Sequence, residues 1–124
     1  MRLLLDTHIL LWAMLDDPRL GMGARTAMAG AEAIHVSAVS VWEIAIKSAL
    51  GKLAVPEDLF DQALAAGVRP LPISWAHAQG VERLPAHHAD PFDRLLIAQA
   101  RQEGMVLVSA DSKFRAYDVE LIDG

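Results

Sequence analysis

Short, mostly apolar runs alternate along this chain with longer segments whose apolar residues recur at helical spacing. The runs at residues 2–5, 34–38 and 105–109 have the length of buried strands, and residues 119–122 form a last one. The segments between them begin at capping residues or proline and end near glycine or proline. This order of strands and helices predicts an α/β protein with a parallel sheet and right-handed crossovers.

Helical segments are predicted between these strands, and a weaker strand is predicted at the margin of the sheet. Ser40 and Glu43 have the spacing of a capping box, which predicts that Ser40 starts the helix after the second strand. Pro72 places the run 71–73 on a sheet edge, because proline cannot donate a hydrogen bond to a neighbouring strand. The predicted helices cover residues 7–15, 23–30, 40–50, 57–66, 74–83 and 90–103.

The clearest local signals lie between Asp90 and Asp111. Asp90 stands at an N-cap position, Pro91 at the first helical position and Asp93 three residues after the cap. Gly104 ends the helix, and a strand of four or five apolar residues follows it. Asp93 and Asp111 are therefore predicted at the two ends of a helix-then-strand unit.

Composition agrees with one layered domain over residues 1–124. The chain has 124 residues, of which 53% are hydrophobic and 22% charged, as expected for strands covered on both faces. It has no cysteine, which excludes disulfides and thiolate zinc sites and favours a reducing compartment. No apolar run reaches the roughly 18 residues of a membrane span. An acid at position 6 interrupts any signal-peptide core. We therefore expect a cytoplasmic protein without membrane contact.

Net charge leaves the class of partner open. The formal charge of −5 argues mildly against a non-specific nucleic-acid binder, since such proteins usually carry a basic surface. The same balance is expected of a protein that concentrates carboxylates around a metal ion. Charge alone does not separate these two interpretations.

Four acids are predicted near one edge of the sheet. Ligands of open parallel sheets bind outside the carboxyl ends of the strands, and Asp6, Glu43 and Asp111 all follow strands. Asp93 joins them if its helix runs antiparallel to the sheet. Each acid alone has an ordinary structural explanation as a cap, a helix-dipole partner or a turn residue. Four like charges together favour a cation site, and hard oxygen ligands favour Mg²⁺ or Mn²⁺.

Four motifs, in order, resemble the PIN domain. They are Leu-Leu-Asp6-Thr-His-Ile-Leu-Leu-Trp, Ser-Ala-Val-Ser-Val-Trp-Glu43-Ile-Ala-Ile-Lys, Asp-Pro-Phe-Asp93-Arg-Leu-Leu-Ile-Ala-Gln-Ala and Leu-Val-Ser-Ala-Asp111. Together they resemble most closely the toxin ribonucleases of VapC-type toxin–antitoxin pairs. The resemblance covers essentially the whole chain. It implies a single three-layer PIN domain, with four to five parallel strands and helices on both faces.

The resemblance also implies an activity. Asp6, Glu43, Asp93 and Asp111 match the metal-binding acids of the family, and Asp90 is then only a helix cap. A Mg²⁺-dependent endoribonuclease is expected, with Mn²⁺ able to substitute, which hydrolyses RNA phosphodiesters with a metal-activated water. The partners implied are an RNA substrate, a cognate antitoxin protein and a second copy of the chain.

Residues beside the acids are candidate substrate contacts. Lys47 lies one turn beyond Glu43, so it can either reach the scissile phosphate or pair with Glu43 at i, i+4. The adjacent His87 and His88 are not expected to bind metal, since adjacent side chains on a helix do not face one another. The candidate substrate contacts are Thr7, Lys47, Arg94 and Ser109.

Two alternatives belong to other functional classes. A phospho-receiver module also carries acids at the carboxyl edge of a parallel sheet, but it needs an aspartate at the end of a central strand, and the second strand here ends in Val-Ser-Ala. A catalytically silent PIN scaffold is the other alternative, and the intact acid set argues against it. Incubation of RNA with the protein, with Mg²⁺ or with a chelator, distinguishes all three.

Overall fold

A five-stranded parallel sheet forms the centre of the structure, a computed structural model that describes all residues from Met1 to Gly124. The strand order is β3-β2-β1-β4-β5, so the first strand of the chain is the central one. All four pairings are parallel, which confirms the predicted fold class. The strands are β1 (Arg2–Leu5), β2 (Ala33–Ser37), β3 (Arg69–Leu71), β4 (Val106–Ser109) and β5 (Leu121–Asp123).

Six α-helices cover the two faces of the sheet. They are α1 (Thr7–Met14), α2 (Met22–Ala29), α3 (Ala38–Ala49), α4 (Leu59–Ala65), α5 (Trp75–Gly80) and α6 (Pro91–Glu103), with 3-10 turns at Val81–Arg83 and Ser112–Ala116. None of these helices is both long enough and apolar enough to cross a lipid bilayer.

The side chains of β1 alternate between two hydrophobic cores. Leu3 and Leu5 are buried with residues of α1, α2 and α4, whereas Leu4 is buried with residues of α6 on the opposite face. Period-2 alternation sends successive side chains to opposite faces, so a wholly apolar strand is expected where both faces are covered. The resulting three layers agree with the predicted architecture.

The local signals of α6 are confirmed. The Asp90 carboxylate accepts hydrogen bonds from the backbone N–H groups of Phe92 (2.8 Å) and Asp93 (3.2 Å), and Pro91 follows the cap. Gly104 ends the helix at φ 65°, in the left-handed region that glycine adopts at low cost. The acid at the third position of α6 therefore has a fixed place relative to the sheet.

The predicted start of α3 is wrong. The helix begins at Ala38, directly after β2, and its cap is Ser37, whose Oγ accepts from the Val39 N–H at 3.0 Å. Ser40 is instead buried inside the helix, and its hydroxyl has no hydrogen-bond partner. Glu43 consequently lies in the second turn of α3, so it is not part of a capping box.

Other boundaries shift by a few residues. The predicted helix 57–66 begins only at Leu59, because Pro56 and the residues after it form a turn. The edge strand expected at 71–73 is Arg69–Leu71 and does lie at the sheet margin, with Pro70 inside it. The segment expected to be helical as far as Arg83 continues beyond Gly80 as a 3-10 turn.

Candidate metal site at the carboxyl edge of the sheet

Pairing of β1 with β4 brings Asp6 and Asp111 to the same edge. Leu5 lies opposite Val108 in the register, and the Asp6 N–H donates to the carbonyl of Val108 at 3.1 Å. Asp6 caps α1, its Oδ1 accepting from the Ile9 N–H at 2.8 Å. Asp111 Oδ1 accepts in the same way from the Lys113 N–H at 2.9 Å. In each carboxylate, Oδ1 therefore accepts a capping hydrogen bond, and Oδ2 can contact other groups.

Glu43 is buried between two donors. Its Oε1 accepts a hydrogen bond of 2.7 Å from Thr7 Oγ1, and its Oε2 lies 2.6 Å from Lys47 Nζ. The Glu43 side chain is 6% exposed, whereas that of Lys47 is 41% exposed. The i, i+4 ion pair, one of the two alternatives for Lys47, is therefore present, and it extends from the buried acid to the protein surface.

Asp93 and Asp111 meet through a histidine. His88 Nε2 lies 2.7 Å from Asp93 Oδ2 and 3.8 Å from Asp111 Oδ2. One ligand atom from each of these three residues lies within 4.8 Å of the other two. The sequence did not predict this contact of His88, because adjacent side chains on a helix do not face one another and the resemblance to the PIN domain implies no histidine ligand. His88 lies in the loop before α6, where helical geometry does not apply. The signal in the sequence was the presence of a histidine five residues before Asp93.

Charge links Asp6 to the other acids. Burial raises the pKa of Asp6, a hydrogen bond from Ser109 opposes the rise, and the charge of Glu43 adds to it. Burial also raises the pKa of Asp93 to about 6, with additions from the charges of Asp90 and Asp6 and an opposing effect of His88. Ionised carboxylates in this position lack solvation, so a bound cation would stabilise them.

Two of the candidate substrate contacts, Thr7 and Ser109, are buried next to the acids. Thr7 is 5% exposed and is hydrogen-bonded to Glu43. Ser109 is fully buried and its Oγ accepts from the Asp111 N–H at 3.0 Å, and its hydroxyl lowers the pKa of Asp6. Both hydroxyls orient acids of the candidate site. Contact of either residue with substrate stays a prediction.

Arg94 has a different environment from the one that its position beside Asp93 suggested. Its guanidinium donates to backbone carbonyls of the segment 81–88 and to the hydroxyl of Tyr117, at distances of 2.9–3.4 Å. These bonds fasten the loop that carries His88 to the start of α6. A contact of Arg94 with substrate stays a prediction.

The donor set fits a divalent cation. Carboxylate oxygens of Asp93 and Asp111 and the imidazole of His88 converge within one ligand shell, and buried Asp6 lies close enough for its charge to act on Asp93. Hard oxygen ligands with a single nitrogen suit Mg²⁺ or a first-row transition ion. All four predicted acids lie at this edge, but only Asp93 and Asp111 belong to the three-residue group. Asp6 and Glu43 lie outside it, Asp6 acting by its charge on Asp93 and Glu43 by its charge on Asp6.

Comparison with known proteins identifies the fold family. Residues 3–120 match the PIN domain family. The chain belongs to the PIN domain family. Nucleases of this family are metal-dependent in general, in agreement with the acidic edge. The match also removes the phospho-receiver alternative, since it covers nearly the whole chain.

Relatives with this fold include VapC proteins. Over 117 residues, 92% of this chain and 90% of the relative, the chain is 34% identical to Ribonuclease VapC22 of Mycobacterium tuberculosis. The fold of this chain is similar to that of VapBC2 from Rickettsia felis, whose structure was solved bound to a DNA fragment from its promoter. The TM-score is 0.74, with 17% identity over 99% of this chain and 98% of that chain.

A further solved structure has the same fold. It is Mycobacterium tuberculosis VapC20, described as a toxin that cleaves the sarcin–ricin loop, with a TM-score of 0.68 and 17% identity over 98% of this chain and 99% of that one. At this identity the likeness supports the fold of the PIN domain chain and nothing finer.

Proposed function

We propose that this PIN domain is a Mg²⁺-dependent endoribonuclease that acts as the toxin of a toxin–antitoxin pair. The observation that carries the proposal is the gathering of Asp6, Glu43, Asp93 and Asp111 at the carboxyl edge of the sheet. The 34% identity to a relative named as a ribonuclease supports RNA as the substrate. Two of the similar structures, one of a VapBC pair and one of a toxin, support the toxin role.

The proposed roles follow from the position of each acid. Asp6 and Asp93 are the principal ligands because Asp6 is buried, Asp93 is largely buried, and the charge of Asp6 acts on Asp93. Glu43 and Asp111 complete the site directly or through water. A bound divalent ion supplies Lewis-acid stabilisation of phosphate charge and activates water.

The protein's own side chains hold the acids and meet the substrate. Thr7 donates a hydrogen bond to Glu43, and Ser109 holds the backbone of Asp111 and favours the ionised form of Asp6 by lowering its pKa. Lys47 presents a half-exposed ammonium group beside Glu43, where it can contact an RNA phosphate. These residues therefore arrange charge around the scissile bond, and none of them is required as a covalent nucleophile.

Partners and location complete the proposal. Chain 1–124 acts as a single domain that hydrolyses RNA in the cytoplasm, forms a homodimer and is inhibited by a cognate antitoxin. Solved relatives with this fold are described as VapBC complexes, including one from Salmonella typhimurium with a TM-score of 0.73 and 16% identity over 99% of this chain and 98% of that chain. That recurrence supports an antitoxin partner for this chain.

The testing experiment compares two substitutions in the same helical turn. Wild type, Asp93→Asn and Asp90→Asn are incubated with end-labelled RNA in Mg²⁺, in Mn²⁺ and in chelator, after circular dichroism has established that each is folded. We expect cleavage by wild type and Asp90→Asn in either metal, and none by Asp93→Asn or in chelator. Full activity of folded Asp93→Asn, or cleavage that persists in chelator, would overturn the proposal.

A further inference from the structure

We propose that His88 is a nitrogen ligand of the metal centre and that it shifts the preference of the site from Mg²⁺ toward Mn²⁺. This inference rests on the proposed metal-dependent function and adds a residue outside the four-acid set. It begins from the contact between His88 and two of the acids.

The separations around His88 match those of neighbouring ligands. Its Nε2 lies 2.7 Å from Asp93 Oδ2 and 3.8 Å from Asp111 Oδ2. In an octahedral shell with bonds of about 2.1 Å, adjacent ligand atoms are about 3 Å apart and opposite ones about 4 Å apart. The two distances differ from these values by only a few tenths of an ångström, so small side-chain movements that break the hydrogen bond to Asp93 would bring the imidazole nitrogen into the ligand shell.

The surrounding structure holds the imidazole in this place. The His88 side chain is 8% exposed, and its ring packs edge-on against fully buried Phe114, with ring centroids 6.1 Å apart. The His88 N–H donates to the Tyr117 hydroxyl at 2.8 Å, and its carbonyl accepts from Arg94 at 3.4 Å. Contacts from two other elements thus fix both the backbone and the ring, as a pre-organised ligand requires.

The neighbouring His87 provides the contrast. Its side chain is exposed, and its ring packs against Tyr117 with centroids 5.3 Å apart. It contacts none of the acids through a hydrogen bond or ion pair. His87 is therefore a matched control, since it has the same chemistry and the adjacent position without the contact.

Donor chemistry predicts the direction of the metal preference. Mg²⁺ dehydrates reluctantly and takes oxygen ligands, whereas an imidazole nitrogen is a better donor to first-row transition ions, of which Mn²⁺ is the weakest binder. One nitrogen added to carboxylates therefore favours Mn²⁺ relative to Mg²⁺. The competing interpretation makes His88 only a positive partner of Asp93 and Asp111. In that case an entering cation must displace it, and removal of the imidazole would strengthen metal binding.

Pulsed electron paramagnetic resonance of the Mn²⁺-loaded protein tests the assignment directly, with isothermal calorimetry for affinities. We compare wild type with His88→Gln, His87→Gln and His8→Gln. His8 is included because it flanks Asp6 and is another source of nitrogen. We expect a ¹⁴N coupling typical of bound imidazole in wild type, His87→Gln and His8→Gln, and its loss in His88→Gln. The affinity for Mn²⁺ should fall about ten-fold or more in His88→Gln, and that for Mg²⁺ much less.

Three results would overturn the assignment. They are the absence of imidazole coupling in Mn²⁺-loaded wild type, a coupling that survives in His88→Gln, and Mn²⁺ affinity in His88→Gln equal to or above that of wild type. If His88→Gln does not fold, the other three spectra still decide the question, because a coupling that is present in wild type and survives in both His87→Gln and His8→Gln comes from neither of those imidazoles. Failure of the proposed function looks different, since wild type would then bind neither ion and cleave no RNA.

Discussion

Thr7 Oγ1 donates a 2.7 Å hydrogen bond to Glu43 Oε1 and so joins the first turn of α1 to the second turn of α3. Both side chains are about 5% exposed. The Glu43 carboxylate accepts a hydrogen bond from a hydroxyl on one oxygen and from an ammonium group on the other. These two bonds hold the buried carboxylate in one orientation. The residue after Asp6 therefore determines where Glu43 points.

Removal of this hydroxyl should affect both stability and activity. Thr7→Val keeps the shape of the side chain but leaves Glu43 Oε1 buried without its donor, which costs about 1–3 kcal/mol. Urea denaturation of metal-free protein measures this loss, and the rate of RNA cleavage should fall in parallel. Thr7→Ser restores the donor and serves as the control. Equal stability of Thr7→Val and wild type would show that the bond contributes nothing.

Divalent ions should stabilise the folded protein. A ligand at 100 times its Kd adds about 2.7 kcal/mol to the free energy of unfolding. Thermal melts of chelator-treated protein, with and without millimolar Mg²⁺ or Mn²⁺, should show a higher Tm with the ion. Asp6→Asn should reduce this shift, because it removes a charge from the site. An unchanged Tm for wild type across millimolar concentrations of both ions would contradict a metal site.

Asp93 should make the stability of the metal-free protein depend on pH. Its folded pKa is raised from 3.8 to about 6, mainly by burial. The stabilisation from its protonated form is therefore fully present below about pH 4 and is lost as the pH rises through 6. Asp93→Asn mimics the neutral form, so it should exceed wild type in stability at pH 7.5, by an amount on the order of 1 kcal/mol.

That advantage should shrink as the pH falls from 7 to 4. Denaturation of both proteins at several pH values, in chelator, gives the difference directly. A gap that widens toward acid pH would mean that the folded state prefers the ionised Asp93, contrary to the effect of burial.

Asp90 should stabilise the protein by capping α6, apart from the effect of its charge on Asp93. Asp90→Asn retains an oxygen that can accept from the N–H groups of Phe92 and Asp93, so stability and cleavage should stay close to wild type. Asp90→Ala removes the acceptor and should cost about 1 kcal/mol. Thermal denaturation of wild type, Asp90→Asn and Asp90→Ala gives the order of their stabilities. An equally stable Asp90→Ala would exclude a capping contribution.

Lys47 should matter for both RNA binding and folding. The Lys47 side chain is 41% exposed but that of its partner Glu43 is only 6% exposed, so Lys47→Gln removes the charge that pairs with a buried carboxylate and should cost about 1–3 kcal/mol of stability. If Lys47 contacts a phosphate, the slope of log affinity against log salt should decrease by about 0.7 for single-stranded RNA. Binding measured with Asp93→Asn, which does not cleave, gives the slope. Lys47→Arg should keep the wild-type slope. An unchanged slope in Lys47→Gln would show that Lys47 pairs with Glu43 but does not contact an RNA phosphate.

Sequence signals were sufficient where they were local. Asp90, Pro91 and Gly104 define α6 almost to the residue, because capping, fixed φ and left-handed conformation are properties of single residues. The start of α3 was missed because Ser37 and Ser40 are both acceptable caps. Only the end of β2 decides between them, and that depends on its pairing with β1.

The candidate site was predictable at its acids and not at its histidine. Asp6 and Asp111 follow apolar strands, and parallel pairing brings such positions together whatever the loops do. His88 depends on the path of an irregular loop held by Arg94 and Tyr117. Loop paths are set by long-range contacts that periodicity does not encode, so the sequence did not indicate which way the imidazole faces.

The central position of β1 has a consequence for synthesis on the ribosome. β1 precedes β4 in the chain and needs it as one of its two neighbours, so β1 stays half-paired until β4 has been translated. Asp6 meets Asp111 only after residue 111 has emerged, because parallel pairing of distant segments cannot begin earlier. A ribosome-bound fragment that ends before β4 therefore lacks the complete acid set. Under the proposed function, such a nascent chain cannot attack RNA close to the machinery that is making it.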